Sequence, residues 1–121
     1  VQATGTILVR GDWIGLSRMV RNLLDNAARH ARSCIVVSTH VRDSWAVITV
    51  SDDGPGIPEA DRRRVFDRFV RLDADRSRRG GGAGLGLAIV AEIVASHDGT
   101  VTVGAGPQGG AQVTVTLPLE H

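Results

Sequence analysis

The sequence predicts an α+β fold: five strands in one sheet, covered on one face by about three helices. Three observations predict it. Val, Ile and Thr alternate with period two in paired runs, the spacing of half-buried strands. In two other stretches apolar residues recur every three or four positions, the stripe of an amphipathic helix. The runs follow in the order β-α-β-β-(loop-α)-α-β-β. Strands joined by short hairpins pair antiparallel, so one sheet under one layer of helices is the economical arrangement.

Residues 5–10 read as a short strand, interrupted by Gly11 and Asp12, where Asp12 can cap the helix that follows. That helix is predicted over 13–31, with Leu16, Met19, Val20, Leu23, Leu24, Ala27 and Ala31 as its apolar stripe. Its other side carries Asn22, Asn26 and His30. Each is displaced by about 40° from the last, so all three point into one strip of space. Strands are predicted over 35–41 and 45–51, with Arg42-Asp43-Ser44 as a hairpin connection. Residues 52–58 are a run of breakers. Residues 59–69 read as a short charged helix or turn with Val65, Phe66 and Phe69 as its apolar side. Residues 71–83 are basic and glycine-rich without periodicity, the pattern of a mobile loop. Gly84-Leu85-Gly86-Leu87 opens a second helix, with Leu87, Ile89, Val90, Ile93 and Val94 apolar, and Gly99 suits a left-handed cap at its end. Strands over 100–104 and 111–117 close the chain, joined by a turn over 104–110.

A chain of 121 residues fits one domain and buries roughly 65% of its unfolded surface. The domain is predicted over 1–118, and Leu119-Glu120-His121 resembles the scar of a C-terminal tag. The 42% apolar and 22% charged content is that of an ordinary soluble protein. No stretch of about 18 apolar residues is present to span a membrane, and the start is not a signal peptide. The expected setting is cytoplasmic, within a parent protein that can be anchored elsewhere. The net charge of +1 gives no reason to expect a nucleic-acid partner. All fourteen basic residues are Arg, and Arg71, Arg76, Arg78 and Arg79 crowd one glycine-rich stretch. Such a cluster suits a phosphate better than a long polyanion. The lone Cys34 has no internal disulfide partner and reads as a buried structural thiol. His40 and His97 read as surface or turn residues.

Three constellations carry chemistry, and each also has a plain structural reading. Asn26 offers a neutral oxygen that can complete the coordination of Mg²⁺, which needs few protein ligands. Arg29 and His30, a turn further on, can reach phosphates or a ribose; the alternative is the solvated face of a helix. Asp52-Asp53-Gly54-Pro55-Gly56 follows a β-branched strand. A carboxylate there, beside glycines that admit close approach, can accept from the amino group of a purine; the alternative is an acidic turn. Gly80-Gly81-Gly82-Ala83-Gly84-Leu85-Gly86-Leu87 leads into a helix whose free N–H groups favour an anion; the alternative is a flexible loop with a capped helix. The pattern is neither a Walker A motif nor a dinucleotide fingerprint.

In this order and spacing the three resemble the motifs of sensor histidine kinases. Asn22-Leu23-Leu24-Asp25-Asn26-Ala27-Ala28-Arg29-His30-Ala31 resembles their N box and Asp52-x-Gly54-x-Gly56 their first glycine box. Phe66-Asp67-Arg68-Phe69 resembles the F box, and Gly82-x-Gly84-Leu85-Gly86-Leu87 the second glycine box. The match covers about residues 5–118. The resemblance implies the Bergerat ATP-binding fold, a two-layer α/β sandwich with a mixed five-stranded sheet. It implies that Asp52 holds the adenine, with Gly54, Gly56 and Ile57 around it, and that Asn26 holds Mg²⁺. Asn22, Arg29 and His30 would line the ribose and phosphates, with Arg71 and Arg76 reaching in from a lid. Gly82, Gly84, Leu85, Gly86 and Leu87 would hinge and cradle, while Phe66 and Phe69 anchor the base of the lid.

Relatives with this fold that hydrolyse ATP or phosphorylate serine typically carry a Glu four residues before the Mg²⁺-binding Asn, as a general base. Here Asn22, an amide that takes no proton, occupies that position. A neutral imidazole already has a lone pair and needs no base. The resemblance therefore implies phosphoryl transfer from ATP to a histidine on a separate dimerisation domain, and onward to a response regulator. None of His30, His40, His97 and His121 lies in the family's acceptor setting. The fragment is expected to bind ATP or ADP as a monomer and to do little chemistry alone. Arg29 stands where many relatives have Lys. The alternatives are a nucleotide-sensing module without transfer and an anti-sigma-type serine kinase.

Overall fold

The computed structural model describes residues 9–66 and 83–119. Within them lie two long helices, α1 (Trp13–His30) and α2 (Ala83–Ser96), and four strands: β1 (Ile35–Arg42), β2 (Trp45–Asp52), β3 (Thr100–Ala105) and β4 (Ala111–Pro118). The strands form one sheet in the order β1-β2-β4-β3, and every pairing is antiparallel. Of the strand expected over 5–10, Val9 is described, and it forms an isolated antiparallel bridge with Leu119. The Leu119 N–H also donates to the Ser44 carbonyl at 3.0 Å, so this residue, grouped above with a terminal scar, is tied to the sheet.

The register shows how alternation becomes a core. Val50 faces Val113, Ile48 faces Val115 and Ala46 faces Leu117 across β2 and β4, while Val101 and Val103 face Val115 and Val113 from β3. These side chains share one face because successive residues of a strand point to opposite sides. That face meets Met19, Leu23 and Ala27 of α1 and Leu87, Val90 and Val94 of α2 in one buried cluster. The other face carries hydroxyls, including the bonded pairs Ser38–Thr49 and Thr100–Thr116. The β1–β2 hairpin turns in two residues, with Asp43 at φ 57°.

Asp12 caps α1 as expected: its carboxylate accepts from the N–H groups of Ile14 and Gly15, both at 3.2 Å. The apolar stripe is narrower than expected. Met19, Leu23 and Ala27 are buried, but Val20 is 43% exposed. It stands about 100° round the axis from Met19, beyond what the sheet and α2 cover. Trp13 and Ile14, at 81% and 75%, are also turned out. Residues 59–66 form two 3₁₀ turns, Glu59–Asp61 and Arg64–Phe66, rather than a continuous helix. Their first turn is braced by the Arg62 Nε–H bond to the Ile57 carbonyl. Phe66 is half-buried against the core. Phe69 and the basic glycine-rich loop lie outside the described residues.

Two expectations at the end of α2 are corrected. Asp98, not Gly99, adopts the left-handed conformation, at φ 61°. Gly99 is there for a different reason: a Cβ would collide with the Thr116 carbonyl oxygen of β4. His97 is not a plain turn residue either. Its Nε2 accepts the Asp12 backbone N–H at 3.0 Å, and its Nδ1 lies 2.7 Å from the Ile93 carbonyl. An imidazole that accepts at Nε2 and donates at Nδ1 is in one defined tautomer. Gly11 lets the chain pass over this ring, since a Cβ there would lie 2.6 Å from its Cδ2.

Gly99→Ala should therefore destabilise the domain by about 1–3 kcal/mol through overpacking. Asp98→Gly should leave stability unchanged or raise it by no more than about 1 kcal/mol, by relieving a left-handed non-glycine residue. Urea unfolding of both variants checks this; equal losses would return the cap to Gly99.

Candidate functional site

The site is assembled where α1 ends. Asn22, Asn26, Arg29 and His30 are all half-buried; at about 100° per residue they flank the Met19, Leu23 and Ala27 stripe rather than lying on the opposite side of the helix, as the sequence suggested. Two of their atoms, Asn22 Nδ2 and Arg29 Nε, are buried with no hydrogen-bond partner. Both are donors. A buried donor left unpaired costs about 1–3 kcal/mol, so native folds seldom keep two on one helix without a use for them.

The end of β2 lies beneath this strip. Gly54 lies so close to the His30 carbonyl oxygen that a Cβ would collide with it. This is the close approach that the glycine of Asp52-x-Gly54 permits. Asp52, 3% exposed, is a buried carboxylate. Its Oδ1 accepts the Gly54 N–H at 2.8 Å and, at a longer 3.4 Å, the Ala111 N–H. Gly110 packs on it so tightly that a Cβ would strike both Asp52 Oδ1 and its carbonyl. Gly56, at φ 81°, continues the turn against residues 109 and 110, and Ile57 is buried behind it. The Gly110 and Ala111 contacts had no signal in the sequence. They follow from the pairing of Ser51 with Gln112, which is fixed only when β2 and β4 meet.

Asp53 turns the opposite way from its neighbour. Its carboxylate accepts the Arg32 N–H at 2.8 Å, the Ser33 N–H at 3.1 and 3.2 Å, and the Ser33 hydroxyl at 2.8 Å. The Ser33 backbone and hydroxyl bonds, helped by that of Arg32, hold its carboxyl far below the ordinary carboxylate range. A Ser three residues past the end of the helix is the local signal for this bond, but the acceptor is supplied by a distant strand. Cys34, next along, is half-buried rather than fully buried and accepts from Gln108 Nε2 at 3.3 Å.

The second glycine motif reaches the same place from the other helix. The His97–Asp12 bond sets the end of α2 beside the start of α1, and the two share one core, so they run antiparallel. The 14 residues of α2 rise about 21 Å, which brings its first turn roughly level with Asn26. Gly84 and Leu85 lie in that turn, where helical N–H groups have no intrahelical acceptor. Among the described residues, nothing stands within 4 Å of where a Cβ on Gly86 would lie. Leu87 is buried in the core cluster that also holds Val90 and Ala27. Arg71, Arg76 and Gly82 lie outside the described residues. Among those described, no three His, Cys, Asp or Glu side chains gather as a metal cluster. A surface cavity of about 460 Å³ beside Arg62, Phe66 and Val103 shares no lining residue with the site.

The end of α1 carries a half-buried amide strip with two unpaired donors, and its His30 carbonyl meets Gly54, two residues past the buried Asp52 carboxylate. The model of the histidine kinase-, DNA gyrase B- and HSP90-like ATPases matches residues 11–121, and the chain belongs to that family. Within it, the chain stands with the ATP-binding catalytic domains of sensor histidine kinases. It is 43% identical over 116 residues to the Probable sensor histidine kinase TcrY of Mycobacterium tuberculosis, covering 94% of this chain and 24% of that one. It is 38% identical over 118 residues to the Signal transduction histidine-protein kinase BaeS of Escherichia coli, covering 96% and 25%. It thus spans about a quarter of the length of these curated relatives. The mycobacterial sensor histidine kinase MprB superposes with a TM-score of 0.82 at 38% identity, over 93% of this chain and 77% of that one. The ATP binding domain of PrrB from Mycobacterium tuberculosis gives 0.78 at 29%, over 98% and 79%. Among the described residues no helix is long and apolar enough to cross a membrane.

Asp53 yields a pH prediction. Its folded pKa lies below its ordinary 3.8, so it contributes stability that is fully present above that value and is lost as pH falls through the folded one. Urea unfolding from about pH 6 down to pH 3 should show wild type losing stability more steeply than Asp53→Asn, with the gap between them narrowing. Parallel curves would exclude the carboxylate as a source of this stability.

Proposed function

We propose that this domain binds Mg-ATP and presents its γ-phosphate to a histidine imidazole on a separate dimerisation domain of the same parent protein, which then passes the phosphoryl group to a response regulator. The observation that carries the proposal is the pair of buried, unpaired donors on α1, Asn22 Nδ2 and Arg29 Nε. Two donors call for an acceptor-rich ligand, and phosphate oxygens supply it.

Each part of the site then has a task. Asp52, held in place through Oδ1, accepts from the adenine amino group through Oδ2, with Gly54, Gly56 and Ile57 shaping the floor. Asn22, Arg29 and His30 line the ribose and phosphates. The first turn of α2, where Gly84 and Leu85 lie, offers its free N–H groups to an anion, and Gly86 and Leu87 continue the cradle. Arg71 and Arg76 reach the phosphates from the lid, with Gly82 as a hinge. Asn26 offers a carbonyl oxygen to Mg²⁺. With no acidic cluster among the described residues, the ion would keep phosphate oxygens and waters as its other ligands. When bound, it offsets charge on the triphosphate.

Asn22 decides the acceptor. No carboxylate occupies that position to remove a proton from water or serine. An imidazole attacks without one: its lone pair forms the N–P bond while the bridging O–P bond breaks, and ADP leaves with that electron pair. The domain extends over 1–118 and is monomeric by itself; the parent is anchored in the bacterial membrane with this domain on the cytoplasmic side.

Calorimetric titration tests the pocket. Asp52→Asn should weaken ATP binding by about 1.5–3 kcal/mol, the cost of losing a charge-assisted hydrogen bond; a loss below about 0.5 kcal/mol would remove Asp52 from the adenine. Asn26→Ala should abolish the enhancement of ATP binding by Mg²⁺ while sparing metal-free nucleotide, and a persisting enhancement would show another ligand. Phosphorylation of a supplied histidine domain separates this function from nucleotide sensing without transfer.

A further inference from the structure

The two halves of the proposed pocket belong to different elements. The adenine carboxylate, Asp52, is fixed by the sheet and by the Gly54 and Ala111 N–H groups. The phosphate-facing groups Asn26, Arg29 and His30 ride on α1. Its C-cap, Ala31, is extended at ψ 144° and has no polar side chain with which to hold the last turn. The residues that follow are held from outside, by the Asp53 carboxylate, which takes three donors from Arg32 and Ser33. Asp53 is the covalent neighbour of Asp52, and Gly54, on its other side, touches the His30 carbonyl. A three-residue segment thus supplies the adenine acceptor, the clamp on the helix exit and the surface on which the helix end rests.

We infer that Asp53 is a positioning residue for the triphosphate, which by gripping Arg32 and Ser33 sets Asn26, Arg29 and His30 at the correct distance from Asp52. The inference rests on the nucleotide pocket proposed above. It does not require Asp53 to touch the ligand: both of its oxygens are already engaged by Arg32 and Ser33. Its depressed pKa, caused by those same bonds, means that the clamp is a full carboxylate at neutral pH.

The test separates the two halves of the ligand. The 121-residue chain is titrated with ATP and with adenosine, followed by calorimetry and by NMR shifts, as wild type, Asp53→Ala, Asp53→Asn, Ser33→Ala and Arg29→Ala. Asp53→Ala should weaken ATP about tenfold, as loss of a supporting shell does, while adenosine changes by less than about twofold. Asp53→Asn retains a carbonyl oxygen for the Arg32 and Ser33 N–H groups and should recover part of the loss. Ser33→Ala, which removes only the hydroxyl donor, should shift the ratio of the two affinities in the same direction by less. A ratio unchanged in Asp53→Ala but lowered in Arg29→Ala overturns the inference and leaves the pocket standing. A ratio unchanged in Arg29→Ala as well overturns the pocket reading and the inference with it. If ATP and adenosine weaken together in Asp53→Ala, the residue supports the fold as a whole and the inference fails. Should Asp53→Ala not fold, an unchanged ratio in both Asp53→Asn and Ser33→Ala overturns it equally.

Discussion

The contact on which the rest depends is backbone on backbone: the turn after β2 pressed against the last carbonyl of α1. With no side chain on Gly54, the His30 carbonyl can lie directly over the strand end. A helix and a sheet normally keep about 10 Å apart because side chains fill the space between them. Here the layers converge, and the end of the helix rests on the turn that follows the Asp52 carboxylate. Gly110 allows an equally close approach within the sheet, of the β3–β4 turn onto Asp52, and Gly99 brings the exit of α2 onto β4. At these three points a methyl group has no room, while the middle is filled by Met19, Leu23, Val90 and Val115.

This division of labour explains the polar inventory of the site. The apolar centre provides stability without shaping chemistry, and the polar groups collect where the layers pinch together. Asp52 and Asp53 show how finely that edge is organised. They are adjacent and chemically identical, yet one is turned into the sheet against Gly54 and Ala111 and the other out to the helix exit. The alternation of a strand end puts consecutive side chains on opposite sides, so one acidic pair serves two elements. The antiparallel run of α1 and α2, pinned by His97 to Asp12, then brings a helix N-terminus to the same edge.

Much of this was legible in the sequence, and the legible part is the local part. The alternation of Val and Thr predicted all four described strands to within a residue or two, and Asp12 was recognisable as a cap. The amide strip on α1 was legible because helical spacing alone decides which residues share a side. What sequence could not show depends on partners distant in the chain. Gly99 reads as a cap because glycine usually serves there; its real constraint, the Thr116 carbonyl, lies on another strand. Val20 fits the apolar period, but only the sheet decides how wide a stripe is covered. His97 lacked a signal because a backbone N–H of a loop 85 positions away is its partner. The uses of Asp53 and Gly110 stayed hidden for the same reason.

The connectivity of the sheet carries a consequence for how the site comes into being. β1–β2 and β3–β4 are local hairpins, whereas β2 meets β4 across most of the chain. Closing that long loop is the entropically expensive event, far costlier than closing either hairpin. Asp52 is on one hairpin; Gly110 and Ala111, which bound it, are on the other. The carboxylate's setting therefore does not exist in either half and arises in the cooperative step that joins them. A ligand that recognises that setting recognises only the finished domain, so its binding energy is added wholly to the barrier against global opening. Occupancy then protects the backbone amides of β2 and β4 from solvent exchange together, as one unit, although the ligand touches only their ends.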